Sequence, residues 1–233
     1  AVVGAGASGF QIVPTIAPEV ESLVVFQRTA QWMFPNPNYH EKVGDGMRWA
    51  MRHLPFYGRW YRFLLFYPGC DGGLANAKID PEWPHQDRSI NAANDMTRQV
   101  FTKWIEDQVG DDAELLAKLI PDYPATGKRT LQDNGSWLRA LTRDNVELRR
   151  DPIDHVDEHG IVMASGERFD VDIIVYATGF AMTKVLFPME FVGRDGVKLN
   201  DFWADRPSGL LGITVPGFPN LFMMYGPSTH LNH

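Results

Sequence analysis

Three groups of residues in this 233-residue chain could act together on one ligand. The first is Gly4-Ala5-Gly6-Ala7-Ser8-Gly9, the pattern G-x-G-x-x-G, preceded by the apolar run Ala1-Val2-Val3. It is followed by Phe10, Val13, Ile16 and Ala17 at helical spacing. A strand before and a helix after make this a phosphate-binding turn. Gly4 permits the tight turn, Gly6 lets the backbone approach a pyrophosphate, and Gly9 lets the helix pack on the strand. The opening helical residues Ala7, Ser8 and Gly9 then offer free N–H groups and a partial positive charge to an anion. The second group is Arg28-Thr29, which closes the apolar run Ser22-Leu23-Val24-Val25-Phe26. A carboxylate about 20 positions after the glycine turn would hold a free ribose hydroxyl. None stands here; a planar cation and a hydroxyl suit a 2′-phosphate, so the nucleotide read from these residues is NADP(H). The third group is Lys128-Arg129, after Tyr123-Pro124-Ala125-Thr126-Gly127. Taken alone, a basic pair in a loop is a solvated feature. In a dry site that develops an anion, it supplies a charge that arginine does not lose.

These groups need elements to hold them. Residues 1–30 read strand, turn, helix, strand, and Pro14 predicts a bent or short helix. Pro35, Asn36, Pro37 and Asn38 predict a loop over 31–40. The pattern then turns helical over 41–121, most clearly at Ser89–Asp107 and Asp111–Ile120. Pro121, Pro124 and Gly127 break it. Short strands follow at Val146–Leu148, Ile153–Val156, Ile161–Met163 and Ile173–Tyr176, with turns at Gly160 and Gly166. Ala177-Thr178-Gly179-Phe180 leaves the last of these, and Gly179 allows a sharp turn. A final strand is predicted at Asn220–Tyr225, before Gly226-Pro227-Ser228-Thr229. The fold class is α/β: a Rossmann-like domain with a parallel sheet and small antiparallel strands, over 1–40 and 122–180, interrupted by a helical insertion over 41–121 and followed by a closing segment over 181–233.

Composition narrows the function. The chain carries 22 basic and 29 acidic residues, a formal charge of −7, which argues against a nucleic-acid partner. Cys70 is the one cysteine, so neither an internal disulfide nor a cysteine metal cluster can form. That usage fits a reducing, cytoplasmic setting. No histidine pair shows the zinc spacing H-E-x-x-H, and no metal site is expected. Residues 46–70 hold Arg48, Arg52, Arg59 and Arg62, no acid, and interleaved aromatics such as Trp49, Phe56, Trp60 and Phe63. They are read as the core and interface of the insertion, with arginine stems lying along aromatic faces. A substrate-access lid or a membrane-surface helix is the other reading, which the acidic whole-chain charge weakens.

Together, Arg28-Thr29-Ala30-Gln31-Trp32, Gly127-Lys128-Arg129, Ala177-Thr178-Gly179-Phe180 and Asn220–Thr229 resemble Baeyer–Villiger flavin monooxygenases, closest to the branch acting on aryl ketones such as hydroxyacetophenones. The resemblance runs across nearly the whole chain. It implies FAD in a first dinucleotide domain and NADPH in a second, the present one. NADPH would reduce the flavin, reduced flavin would take up O2, and one oxygen atom would be inserted into a ketone to give an ester or lactone. Lys128 would help hold the 2′-phosphate beside Arg28 and Thr29. Arg129 would lie over the flavin and stabilise negative charge there. Ala177, Thr178 and Gly179 would link back to the FAD domain, and Gly226 and Pro227 would approach the flavin ring. The FAD turn and the pattern F-x-G-x-x-x-H-x-x-x-W would precede Ala1, in a part of the polypeptide missing here. This chain alone should then bind NADPH weakly and no flavin stably. N- or S-oxygenating flavoproteins share the glycine turn and the Ala-Thr-Gly-Phe segment, and stay open as alternatives. So does a non-catalytic NADP-binding sensor module.

Overall fold

In a computed structural model of the chain, residues 1–67, 71–181, 184–227 and 229 are described. They form two compact units, one from the described residues of 1–178 and one from those of 179–229.

The first unit is built on a parallel sheet in the order β5-β2-β1-β9. Its strands are β1 (Val2–Val3), β2 (Leu23–Phe26), β5 (Val146–Arg149) and β9 (Val175–Tyr176). Helix α1 (Ala7–Ile16) crosses from β1 to β2 and buries Gly9, Phe10 and Val13 against the sheet. Its last turn runs over Pro14, whose missing N–H frees one carbonyl. The helix stops at Ile16, as short as the proline predicts.

The segment expected to be a loop contains a strand. β3 (Met33–Pro35) pairs in parallel with β4 (Leu131–Asp133), in the register Met33↔Leu131 and Pro35↔Asp133. Pro35 is tolerated because it ends the strand. The pair is short, and Trp32 beside it is fully buried with its Nε1 donating to the Tyr123 carbonyl at 2.9 Å. Helix α7 (Ser136–Leu141) follows β4 and stacks Trp137 on Phe10 of α1, with ring centres 5.2 Å apart.

Between β3 and β4 the chain is helical: α2 (Asp45–His53), α3 (Tyr57–Phe66), α4 (Asp71–Ala77), α5 (Ala92–Val109) and α6 (Ala113–Leu119). The helix expected from Ser89 begins three residues later. Asn91 takes the cap position and accepts from the Asn94 N–H at 2.7 Å, while Ser89 bonds the Asp95 carboxylate at 3.0 Å. Asp112 caps α6 the same way through the Leu115 N–H. Helices α5 and α6 bury Phe101, Ile105 and Leu119 in the same core as Val2, Val25 and Leu148.

Helices α2 and α3 do not. Neither contributes a buried residue, and Phe56, Trp60, Phe63 and Phe66 stand in solvent. The reading of residues 46–70 as core is therefore overturned for the described part of that stretch. Its periodic apolar residues face outward, because no neighbouring element covers them among the described residues. Residues 68–70, including Cys70, lie outside the described residues.

After β5 comes an antiparallel meander of β6 (Ile153–Val156), β7 (Gly160–Met163) and β8 (Arg168–Asp170). Phe169 of β8 meets Phe26 of β2 edge-on at 5.6 Å, so the meander packs on the parallel sheet. Of the expected strand Ile173–Tyr176, the strand proper is Val175–Tyr176; the Val175 N–H donates to the Ala1 carbonyl, and the Ala1 amino group donates to the Ile173 carbonyl at 2.7 Å.

The second unit has its own small core of Leu199, Trp203, Val215, Phe218 and Met223 around α8 (Leu199–Trp203). The strand expected at Asn220–Tyr225 does not form. Leu221 closes a turn onto Phe218, Met223 donates singly to Ile213, and Tyr225 adopts a left-handed φ of 61°. Without a continuous partner strand, an apolar run stays irregular.

Candidate functional site

The glycine turn lies between β1 and α1, at the carboxyl end of the parallel strands. β2 and β5 lie to one side of β1, and β9 to the other. That is the switch point at which open α/β sheets bind ligands. The three glycines do different work. Gly4 has a φ of 113°, and a Cβ there would strike the Ala177 carbonyl at the end of β9. A Cβ on Gly9 would strike the Gly4 carbonyl, so the helix packs directly on its own turn. A Cβ on Gly6 would meet nothing within 4 Å. The open side of the turn is therefore at Gly6. No side chain caps α1. Ala7 and Ser8 are exposed, and a helix start with unmet N–H donors fits a pyrophosphate.

At the end of β2 the side chains sort by direction. Gln27 turns inward, buried, and donates to the Lys118 carbonyl at 2.8 Å. Arg28 is the first exposed side chain beyond the strand, and Thr29 is half-buried next to it. The Lys128 ammonium lies 4.6 Å from the ring centre of Tyr123, and the Tyr123 hydroxyl donates to the Ala30 carbonyl at 3.0 Å. Burial pushes the Tyr123 phenol above its ordinary pKa, so it stays a neutral donor. One tyrosine thus ties the Lys128 loop to the segment two residues after Arg28. Arg28, Lys128 and Arg129 meet no carboxylate within salt-bridge range among the described residues, a property they share with other cations such as Arg52, Arg98 and Arg143. Exposed cations left without anions near a phosphate-type turn suit a multiply charged ligand.

Arg129 belongs to a different wall. It lines a cleft of about 460 Å³ together with Ala7, Gln11 and Thr15 of α1, Tyr39 and His40. Arg129 and the start of the glycine helix therefore border one space. The β4 strand that follows Arg129 is anchored at its far end by Asp133. That residue is fully buried and accepts from the Trp104 Nε1 at 3.0 Å. Burial raises its carboxyl above the usual range.

Of the residues singled out in the sequence, Gly4, Gly9, Ala177 and Thr178 come together at the turn, and Ala7 and Arg129 share the cleft. Tyr123 joins the Lys128 loop to Ala30, the residue after Arg28-Thr29, and brings neither of those two side chains to Lys128 by direct contact among the described residues. Gly179, Gly226 and Pro227 lie in the second unit, where Gly226 and Pro227 are buried and a Cβ on Gly226 would strike the Gly212 carbonyl. Ser228 lies outside the described residues. Tyr123, Tyr39 and His40 escaped the sequence reading as site residues. The phenol's role could have been suspected only from its place in the segment leading to Lys128. No group of three or more His, Cys, Asp or Glu side chains could hold a metal ion among the described residues.

Fold and site together define an α/β protein with a dinucleotide-type glycine turn at its switch point. No family model matches the chain. Its sequence is 41% identical, over 234 residues, to the monooxygenase y4iD of Sinorhizobium fredii, covering all of this chain and 35% of that protein. It is 32% identical over 233 residues to a Baeyer–Villiger monooxygenase of Pseudomonas aeruginosa, covering 41% of it. Its fold matches a crystal structure of OTEMO in complex with FAD and NADP, with a TM-score of 0.75 and 30% identity. That match covers 97% of this chain and 46% of the other. The chain is thus related in sequence and fold to monooxygenases, Baeyer–Villiger enzymes among them, and spans less than half the length of these relatives.

Proposed function

We propose that this chain is the NADPH-holding part of an FAD-dependent Baeyer–Villiger monooxygenase that inserts one atom of O2 into a ketone to give an ester or lactone. The observation that carries the reading is the turn whose Gly6 face is open beside an uncapped helix. The relatives add the chemistry: a Baeyer–Villiger enzyme at 32% identity, and a fold match that binds FAD and NADP.

In this reading Gly4, Gly6, Ala7, Ser8 and Gly9 cradle the pyrophosphate. Arg28 and Thr29 take the 2′-phosphate, joined by Lys128. Selection of NADPH over NADH follows, because a phosphate dianion rewards the cations and NADH leaves them unmatched. Residues 1–40 and 122–180 form the nucleotide part, with Ala177, Thr178 and Gly179 at its exit. Residues 41–121 are an insertion, and 181–233 lead back towards an FAD domain in another part of the polypeptide, with Gly226 and Pro227 on the flavin side. The flavin supplies the oxygen activation when bound. Arg129 supplies a fixed cation in the cleft, worth most where water is excluded. The finer reading, a substrate among aryl ketones, rests on the sequence resemblance, and the setting that fits the cysteine usage is cytoplasmic.

The test uses the full-length enzyme with Arg129→Ala. Ester formation should fall by about a hundredfold or more while NADPH still binds. Ester formation at the parent rate would remove Arg129 from catalysis. Product analysis on ketone, amine and thioether substrates separates Baeyer–Villiger oxidation from N- or S-oxygenation.

A further inference from the structure

Helices α2 and α3 carry a surface that the proposed reaction does not use. Phe56, Trp60, Phe63 and Tyr67 follow one another at helical spacing along α3 and are 75%, 59%, 49% and 61% exposed. The rings of Trp60, Phe63 and Tyr67 run on from one another in a stripe, with Trp60–Phe63 centres 5.5 Å apart and Phe63–Tyr67 centres 5.4 Å apart, and Phe56 precedes them at the helix start. Arg59 sits 6.0 Å from the Phe56 ring and Arg62 5.6 Å from the Phe66 ring. On α2, Trp49 is 56% exposed and stacks on His53. Among residues 45–67 the one carboxylate is Asp45, 3.6 Å from Arg48, against four arginines. A shallow apolar notch of about 350 Å³ opens between Phe56, Arg59, Trp60 and Phe63.

We propose that this helix pair docks on an anionic lipid membrane, lying in the plane of its headgroups. Trp, Tyr and Arg interleaved on one exposed surface fit that boundary. The rings enter the acyl edge while the guanidinium groups stay with the phosphates. Neither helix is long or apolar enough to cross a membrane, so the contact is peripheral. The chain's net charge of −7 weakens long-range attraction to such a surface, but acidic residues more than a Debye length of about 8 Å away are screened, and the local cluster of arginines governs the contact. A second copy of the chain is the poorer partner. A twofold contact through this stripe would set one arginine cluster against another.

The test compares cosedimentation of the full-length protein with two kinds of vesicle, phosphatidylcholine alone and phosphatidylcholine mixed with phosphatidylglycerol. Binding to the anionic vesicles only, released by salt, is expected. Arg59→Gln with Arg62→Gln should weaken the partition about 25-fold. Trp60→Ser should weaken it further at unchanged NADPH affinity, which reports that the fold and the nucleotide site are intact. Failure to bind anionic vesicles would overturn the proposal, as it would if the rest of the polypeptide covered the stripe. Equal binding to both vesicles, or full binding by the double arginine variant, would also overturn it. So would sedimentation equilibrium showing that Trp60→Ser breaks a dimer, which would make the stripe a subunit interface. None of these outcomes depends on the reaction proposed above.

Discussion

The Lys128 ammonium rests 4.6 Å from the ring centre of Tyr123, and that ring is itself tied to the Ala30 carbonyl by its hydroxyl. The loop carrying the second cation is thereby fixed to the strand end carrying the first. Tyr123→Phe keeps the ring and loses only the hydrogen bond. We expect a stability loss of about 1 kcal/mol and a small rise in the NADPH Kd. Tyr123→Ala removes both supports and should approach the Kd of Lys128→Ala. Urea unfolding and NADPH titration of the full-length enzyme measure the two effects. Parental affinity in Tyr123→Ala would show that the tyrosine positions nothing.

Gly6 and Gly9 separate folding from binding. Alanine at Gly6 meets no protein atom within 4 Å and finds an ordinary backbone, with φ −73°. The variant should fold with an unchanged melting temperature and bind NADPH at least about tenfold more weakly, since its methyl group occupies the phosphate's approach. Alanine at Gly9 collides with the Gly4 carbonyl, a backbone atom that cannot step aside. That variant should lose several degrees of Tm or fail to accumulate. If both variants melt alike and bind alike, the two glycines do not have separate roles.

Much of this was legible in the sequence, for reasons that differ by element. The glycine turn was visible because strand, turn and helix are local and Gly4 and Gly9 each meet backbone that a side chain would strike. Strands β6 and β7 were found from their β-branched runs and Gly160. The β3–β4 pair was not: three residues ending in Pro35 carry no periodicity, and their pairing spans almost a hundred positions. The cleft shared by Ala7 and Arg129 depends on that pairing, so it was equally hidden. The outward face of α3 was misread because helical spacing of apolar residues states that one side is apolar, and not what covers it.

Arg28 should decide between the two nicotinamide dinucleotides. Its side chain is exposed and meets no carboxylate within salt-bridge range among the described residues, so Arg28→Ala breaks no ion pair seen there. The variant should raise the NADPH KM by roughly tenfold or more and leave that for NADH nearly unchanged, as expected for a charge-assisted pair. Steady-state kinetics with both cofactors measures the ratio. An unaltered preference would place the 2′-phosphate elsewhere.

Asp157 gives the meander its own pH dependence. Its carboxylate takes two hydrogen bonds of 2.7 Å from Arg168 and accepts the N–H groups of His159 and Gly160 at 2.9 and 3.1 Å. The guanidinium, foremost, holds this carboxyl far below the usual range. An acid whose pKa is depressed by folding binds its proton more readily when unfolded. The stabilisation is therefore complete above the unfolded value of about 3.9 and is lost progressively as the pH falls below it. The protection factors of the His159 and Gly160 amides should fall in that acid range before the parallel sheet opens. In Arg168→Ala the carboxyl should titrate closer to its ordinary value, and the acid-dependent loosening should shrink, because little pH-dependent stabilisation is left to lose. Carbon-detected titration of Asp157 reads this directly, and an ordinary titration in the parent protein would refute the pairing.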